Sequence, residues 1–118
     1  MKEQQEASTA AADGTTADEY AKLSGAAKDA FFNRDYAQAQ QILLSILDAP
    51  QLGTTEHVKA ALNAGLAEVM LGQFPEARGH FEFVASHGTA EQVQKAQTRL
   101  ATLDQHDAAE QLVAEFEE

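Results

Sequence analysis

The chain has 118 residues, 44 % of them hydrophobic, and its 8 basic against 19 acidic side chains give a formal net charge of −11. That length fits one domain with a modest core, and such a field repels nucleic acid and anionic membrane surfaces, whose affinity comes mostly from Lys and Arg. With no Cys there is no disulfide or thiolate chemistry, and no apolar run approaches the roughly 20 residues of a membrane span, so a cytoplasmic protein is expected.

Residues 1–15, MKEQQEASTAAADGT, are small, polar and aperiodic. They are expected to form a disordered leader, and with Lys2, Glu3 and Glu6 but no apolar block they do not make a secretory signal. Thr16-Ala17-Asp18-Glu19 has the form of a capping box, in which hydroxyl and carboxylate satisfy orphan amide donors. The helix it opens carries Tyr20, Leu23, Ala27, Ala30 and Phe31 at helical spacing. Asn33-Arg34-Asp35 makes a turn. A second helix from about Tyr36 to Asp48 turns Ala39, Ile42, Leu43, Ile46 and Leu47 inward and stops ahead of Pro50.

After a loop from Pro50 to Thr54, with Thr54 or Thr55 as the expected cap, the stretch Ala60 to His87 reads as two helices joined at Leu71-Gly72-Gln73. Ala61, Ala64, Gly65 and Ala77 stand where these helices would cross, beside Phe74, Phe81 and Val84. A Gly inside a helix costs roughly 1 kcal/mol against Ala, so Gly65 implies close approach of a neighbouring helix. Pro75 fits the first turn of the second helix, and Gly88 is expected to end it as a left-handed cap. Thr89-Ala90-Glu91-Gln92 is a second capping box, opening a helix to about Leu103 with Val93, Ala96, Leu100 and Leu103 inward. Asp104-Gln105-His106 makes a turn. A last helix from about Asp107 carries Ala109, Leu112, Val113 and Phe116 and ends strongly acidic.

The pattern Asn63-x-Gly65-x-Ala67, followed by Leu71-Gly72-x-Phe74-x-x-Ala77-x-x-x-Phe81, resembles one unit of the tetratricopeptide repeat (TPR). Asp35-Tyr36-x-x-Ala39-x-x-x-Leu43 repeats its second half. Ala39 and Ala77 lie 38 residues apart, and Ala77 and Ala109 lie 32 apart, on either side of the family's unit of about 34. The chain departs from the family at Ala61 and Glu68, where large aromatics are expected, and at Thr89, where a closing Pro is expected. Gln97 and Asp104 make the third unit the weakest match. The resemblance implies an all-α fold, a right-handed superhelical stack of about three antiparallel helix hairpins over residues 16–49, 54–88 and 89–118.

Catalytic patterns are missing. His57, His80, His87 and His106 form no HExxH motif. Glu76 and His80 sit four apart on one helix face, a spacing more typical of a solvated side-chain pair than of a metal site, and His106 reads as a packed turn residue. No nucleophile elbow or Gly-rich phosphate loop occurs. Neither an enzyme, nor a metal, nor a cofactor is expected.

The resemblance implies instead a binding groove lined by the first helix of each hairpin. By helical spacing the ligand-binding face takes Lys28, Phe31 and Phe32 from the first hairpin, beside Ala21 and Ser24. The second supplies Lys59, Leu62, Leu66, Val69 and Met70, and the third Glu91, Gln94, Thr98, Ala101 and Thr102. Relatives that grip the carboxylate tails of chaperones need clustered Lys, Arg and Asn. Here Ser24, Leu62 and Leu66 stand in those places, with Lys28 and Lys59 the cations. An apolar groove suits a peptide or helix with hydrophobic anchors, and Met70 is adaptable to several partners. A Leu stripe at helical spacing is also the signature of core; Leu62 and Leu66 then belong to the interior, and Phe32, Val69 and Met70 remain as contacts. The function expected is a protein–protein interaction module, an adaptor or chaperone-like protein. The alternative is an assembly or scaffold protein that self-associates into a homo-oligomer through the same surface.

Overall fold

The computed structural model describes residues 17–50, 52–101, 103 and 116–117. The proposed leader, Thr16 with its capping box, the turn at 104–106 and the last helix up to residue 115, including Ala109, lie outside them. The described residues form α1 (Ala17–Phe32), α2 (Tyr36–Leu47), α3 (Thr54–Leu71), α4 (Phe74–His87) and α5 (Ala90–Ala101), with no strand. Each helix packs mainly against the next in the chain, and α1 also touches α3.

Two turns show the same backbone. At the first, Arg34 sits at φ 67°, with its N–H donating to the Phe31 carbonyl and the Asp35 N–H to Ala30. At the second, Gly72 sits at φ 76°, with its N–H donating to Val69 and the Gln73 N–H to Glu68. Both are left-handed caps that satisfy the last helical carbonyls. Gly adopts this conformation freely, whereas a residue with a Cβ loses roughly 1–2 kcal/mol there. Asp35 adds a side-chain cap, accepting from the Gln38 N–H at 3.3 Å.

The centre of the molecule is α3. Every residue from Ala60 to Glu68 is buried, so this helix has neighbours all round rather than on one stripe. Its small side chains permit that. A Cβ placed on Gly65 would stand 2.6 Å from Cε1 and 2.8 Å from Cζ of Phe81, so the Phe81 ring of α4 rests directly on the Gly65 backbone. Ala39 and Ala77 are both fully buried, on α2 and α4. The buried faces of α1 and α2 contain Ala27, Ala30, Phe31, Leu43 and Ile46.

Glu68, at a place where the repeat resemblance expects a large ring, is also buried. A buried carboxylate is tolerated only when hydrogen-bonded. Here Oε2 accepts from Gln40 Nε2 at 2.8 Å, and Oε1 lies 2.6 Å from His80 Nδ1. Gln40 Nε2 also reaches Gln73 Oε1 at 2.7 Å. This polar cluster joins α2, α3 and α4, and it takes His80 toward Glu68 rather than toward Glu76.

Helix ends give one confirmation and two corrections. Thr89 and Gln92 cap α5 reciprocally: the Thr89 N–H donates to Gln92 Oε1 at 2.9 Å, and the Gln92 N–H to Thr89 Oγ1 at 3.2 Å. Neither Thr54 nor Thr55 caps α3. Both lie within the helix, and Glu56 reaches back to accept from the Gly53 N–H at 3.1 Å. Gly88 is not left-handed; its backbone is extended, with φ −84° and ψ 175°. Glycine is needed there because a Cβ would stand 2.8 Å from the Val84 carbonyl oxygen. The loop before α3 is pinned by His57 Nε2, 2.9 Å from the Ala49 carbonyl oxygen, and by burial of Ala49 and Leu52.

Candidate functional site

Where α1, α3 and α5 face the same side, they hold two residues from far along the chain, Phe116 and Glu117. Asn63 is the hinge of this arrangement. Flanked along α3 by buried Leu62 and Ala64, it is itself only 2 % exposed. Its Oδ1 accepts from the Glu117 N–H at 2.7 Å, and its Nδ2 donates to the Glu117 carbonyl oxygen. One side-chain amide thus satisfies both polar groups of a main-chain unit that is in neither a helix nor a strand. Such a grip recognises backbone, not side chain.

The two side chains go to different helices. The Phe116 ring packs on Phe31 of α1 with centroids 4.5 Å apart, and beside Phe32 at 5.8 Å. Phe31 is in turn supported edge-on by Tyr36 at 5.4 Å. Aromatic pairs of this kind contribute about 0.5–1.5 kcal/mol beyond their burial. The Glu117 carboxylate goes to α5, where Oε1 accepts from Gln92 Nε2 at 3.0 Å and Oε2 from Lys95 Nζ at 2.8 Å. Gln92 is oriented by its own capping bond. Because its Oε1 already accepts from Thr89, its NH2 is left pointing at Glu117. The capping box therefore builds half of the carboxylate seat.

Along α1 the same face continues toward the helix start as an open pocket of about 420 Å³, lined by Tyr20, Ala21, Ser24, Gly25, Lys28 and Asp29. Burial raises the Tyr20 phenol above its ordinary pKa, hydrogen bonding with Ser24 opposes this, and the charges of Glu56 and Glu117 add to the rise. The Glu117 carboxylate is thus close enough to be felt at the pocket wall.

The sequence-derived site residues separate into three groups. Phe31 and Phe32 meet around Phe116, Phe32 as a large exposed ring at 46 %. Lys28 is half-buried in the pocket wall, and Lys59, Val69 and Met70 are half-buried on α3. Leu62 and Leu66 are fully buried and have no surface to offer a ligand, because a central helix spends both flanks on its neighbours. Of the inner face expected on and after α5, Ala96 and Leu103 are buried and Leu100 packs half-buried against the core, while Val93 is half-buried; Gln92 and Arg99 are buried as well. Asn63, Gln92 and Lys95 carry the polar contacts and are not among the ligand-binding residues that helical spacing selects. For Asn63 a signal exists in the sequence, since an amide enclosed by Ala, Leu and Gly on a helix needs a buried partner.

Among the described residues no group of three or more His, Asp or Glu side chains converges to hold a metal, and no helix is long and apolar enough to cross a membrane. Comparison with protein-family models, curated proteins and solved structures finds no match.

Proposed function

We propose that this protein is a small TPR-like interaction module that holds an extended segment of a partner protein across the face made by α1, α3 and α5. The hairpins would continue as a right-handed superhelical stack, with the first helix of each pair lining the groove. The observation that carries this reading is the two-point grip of Asn63 on the Glu117 main chain, made by a side chain on the central helix. A groove that binds backbone at its middle and side chains at its flanks has the properties of a peptide-binding site. The repeated left-handed turns at Arg34 and Gly72, and the paired burial of Ala39 and Ala77, support the repeat reading.

The exposed Phe32 ring favours a second reading, in which another copy of the chain packs on the same face and the protein works as an assembly unit. A light-scattering concentration series separates the two: the module stays monomeric through the micromolar range, whereas an assembly unit forms dimers or larger species. The module is tested by selecting binders from a random peptide library. Binding by selected peptides is expected to fall in Asn63→Ala and in Phe32→Glu combined with Met70→Glu, with helicity unchanged. Peptides that bind these variants as well as the parent chain would move the site elsewhere.

A further inference from the structure

We infer, resting on the groove reading above, that the seat is specific for an extended segment carrying an aromatic residue followed directly by an acidic one, and that Phe116–Glu117 is its built-in, exchangeable occupant. The specificity follows from the order of the helices. Successive side chains of an extended chain point to opposite sides. With the main chain fixed on Asn63 of α3, one side chain must fall toward α1 and the next toward α5. The α1 side offers Phe31 and Phe32, which receive a ring. The α5 side offers the Gln92 amide and the Lys95 ammonium, which receive a carboxylate. A segment of reversed order would set a carboxylate against two phenylalanines and a ring against a cation and an amide donor.

Two features make the occupant exchangeable rather than simply structural. Among the described residues its main-chain bonds at Glu117 go to the Asn63 side-chain amide, so another segment of the same order reproduces them without disturbing the ladder of α1 to α5. The carboxylate contacts lie at the edge, with the Lys95 and Glu117 side chains 27 % and 18 % exposed, so solvent reaches the pair that an incoming acid must replace. The pocket from Tyr20 to Asp29 lies on the same helix as the ring seat and gives room for further residues of a longer ligand. An internal occupant lowers the apparent affinity of any external one by the fraction of time the seat is filled. The groove is therefore self-limiting: a partner engages only by out-competing Phe116–Glu117.

The test uses a fluorescein-labelled peptide Ala-Glu-Phe-Glu-Glu, the sequence of residues 114–118, read by fluorescence anisotropy. The chain carrying Phe116→Ala with Glu117→Ala is expected to bind it about tenfold tighter than the unmodified chain, or more, because the seat is vacated. Replacing the peptide's aromatic residue by Ala, or the acid after it by Gln, should each weaken that binding about tenfold. A vacated variant of native helicity that gains no affinity overturns the inference. Should that variant not fold, the unmodified chain is labelled with 4-fluorophenylalanine at position 116. A saturating excess of peptide must then move its fluorine resonance, and an unmoved signal overturns the inference equally. Library-selected peptides that depend on Asn63 but lack an aromatic–acidic pair would sink this inference and leave the groove reading standing. Exchange of Phe116 between copies, seen as dimers that the peptide does not dissolve, would assign the seat to a second copy and also overturn it.

Discussion

Replacing Gly65 by Ala puts a single methyl group where α3 and α4 come closest. The new Cβ would lie 2.6, 2.8 and 3.0 Å from Cε1, Cζ and Cδ1 of Phe81. That ring is fully buried in the core and has no solvent to retreat into. Overpacking of this kind costs about 1–3 kcal/mol, and exchanging Gly for Ala in a helix returns about 1 kcal/mol. The net expectation is a loss of about 0–2 kcal/mol. Gly79 supplies the internal control, since it lies exposed on α4 and a methyl group added there would meet nothing within 4 Å. Gly79→Ala should therefore keep the whole helical gain of about 1 kcal/mol. The two variants differ by the overpacking cost alone, about 1–3 kcal/mol, or about 4–12 °C in Tm at roughly 4 °C per kcal/mol for a domain of this size. Thermal circular dichroism at 222 nm reads this directly. Phe81→Leu, combined with Gly65→Ala, should show favourable coupling in a double-mutant cycle, because the shorter side chain vacates the contested space. Equal gains in Tm from Gly65→Ala and Gly79→Ala would refute the close approach of the helices.

Three other perturbations test separate parts of the fold. Arg34→Gly, at the left-handed residue of the first turn, is expected to stabilise by about 1 kcal/mol in urea titration, whereas Gly72→Ala at its counterpart should destabilise by a similar amount. His80→Ala takes away a hydrogen-bond partner of the buried Glu68 carboxylate and should cost about 1–3 kcal/mol, again read by urea midpoint. Tyr20 should ionise at higher pH than free tyrosine, seen as absorbance at 295 nm that Tyr20→Phe removes. Because burial favours its neutral form, its contribution to stability is full below the unfolded value of about 10 and is lost as pH rises through the folded one.

Local chemistry is legible in the sequence, and long-range pairing is not. The Gly65–Phe81 contact, the turn at Gly72 and the Thr89–Gln92 box each rest on residue size or on groups within a few positions. Gly88 departs from the left-handed cap expected of it because an extended glycine and a left-handed one look alike until the Val84 carbonyl is placed beside it. The seat cannot be assembled from periodicity. Asn63 meets a residue 54 positions away, and Gln92 and Lys95 meet the same residue 25 and 22 positions away. Helical spacing puts Leu62 and Leu66 on the groove, but α3 is enclosed on both flanks and uses Asn63 instead. On α5 it favours Gln94 and Thr98 over Gln92 and Lys95. The capping bond that fixes Gln92 is visible in the sequence, but its consequence for Glu117 needs the fold.

The most direct measurement concerns the side-chain amide of Asn63, followed by heteronuclear NMR while a library-selected peptide is titrated into the chain. If the groove holds a partner's backbone there, both amide protons shift with occupancy and reach a plateau at one peptide per chain. A peptide that binds while the Asn63 amide resonances stay in place would contradict the account.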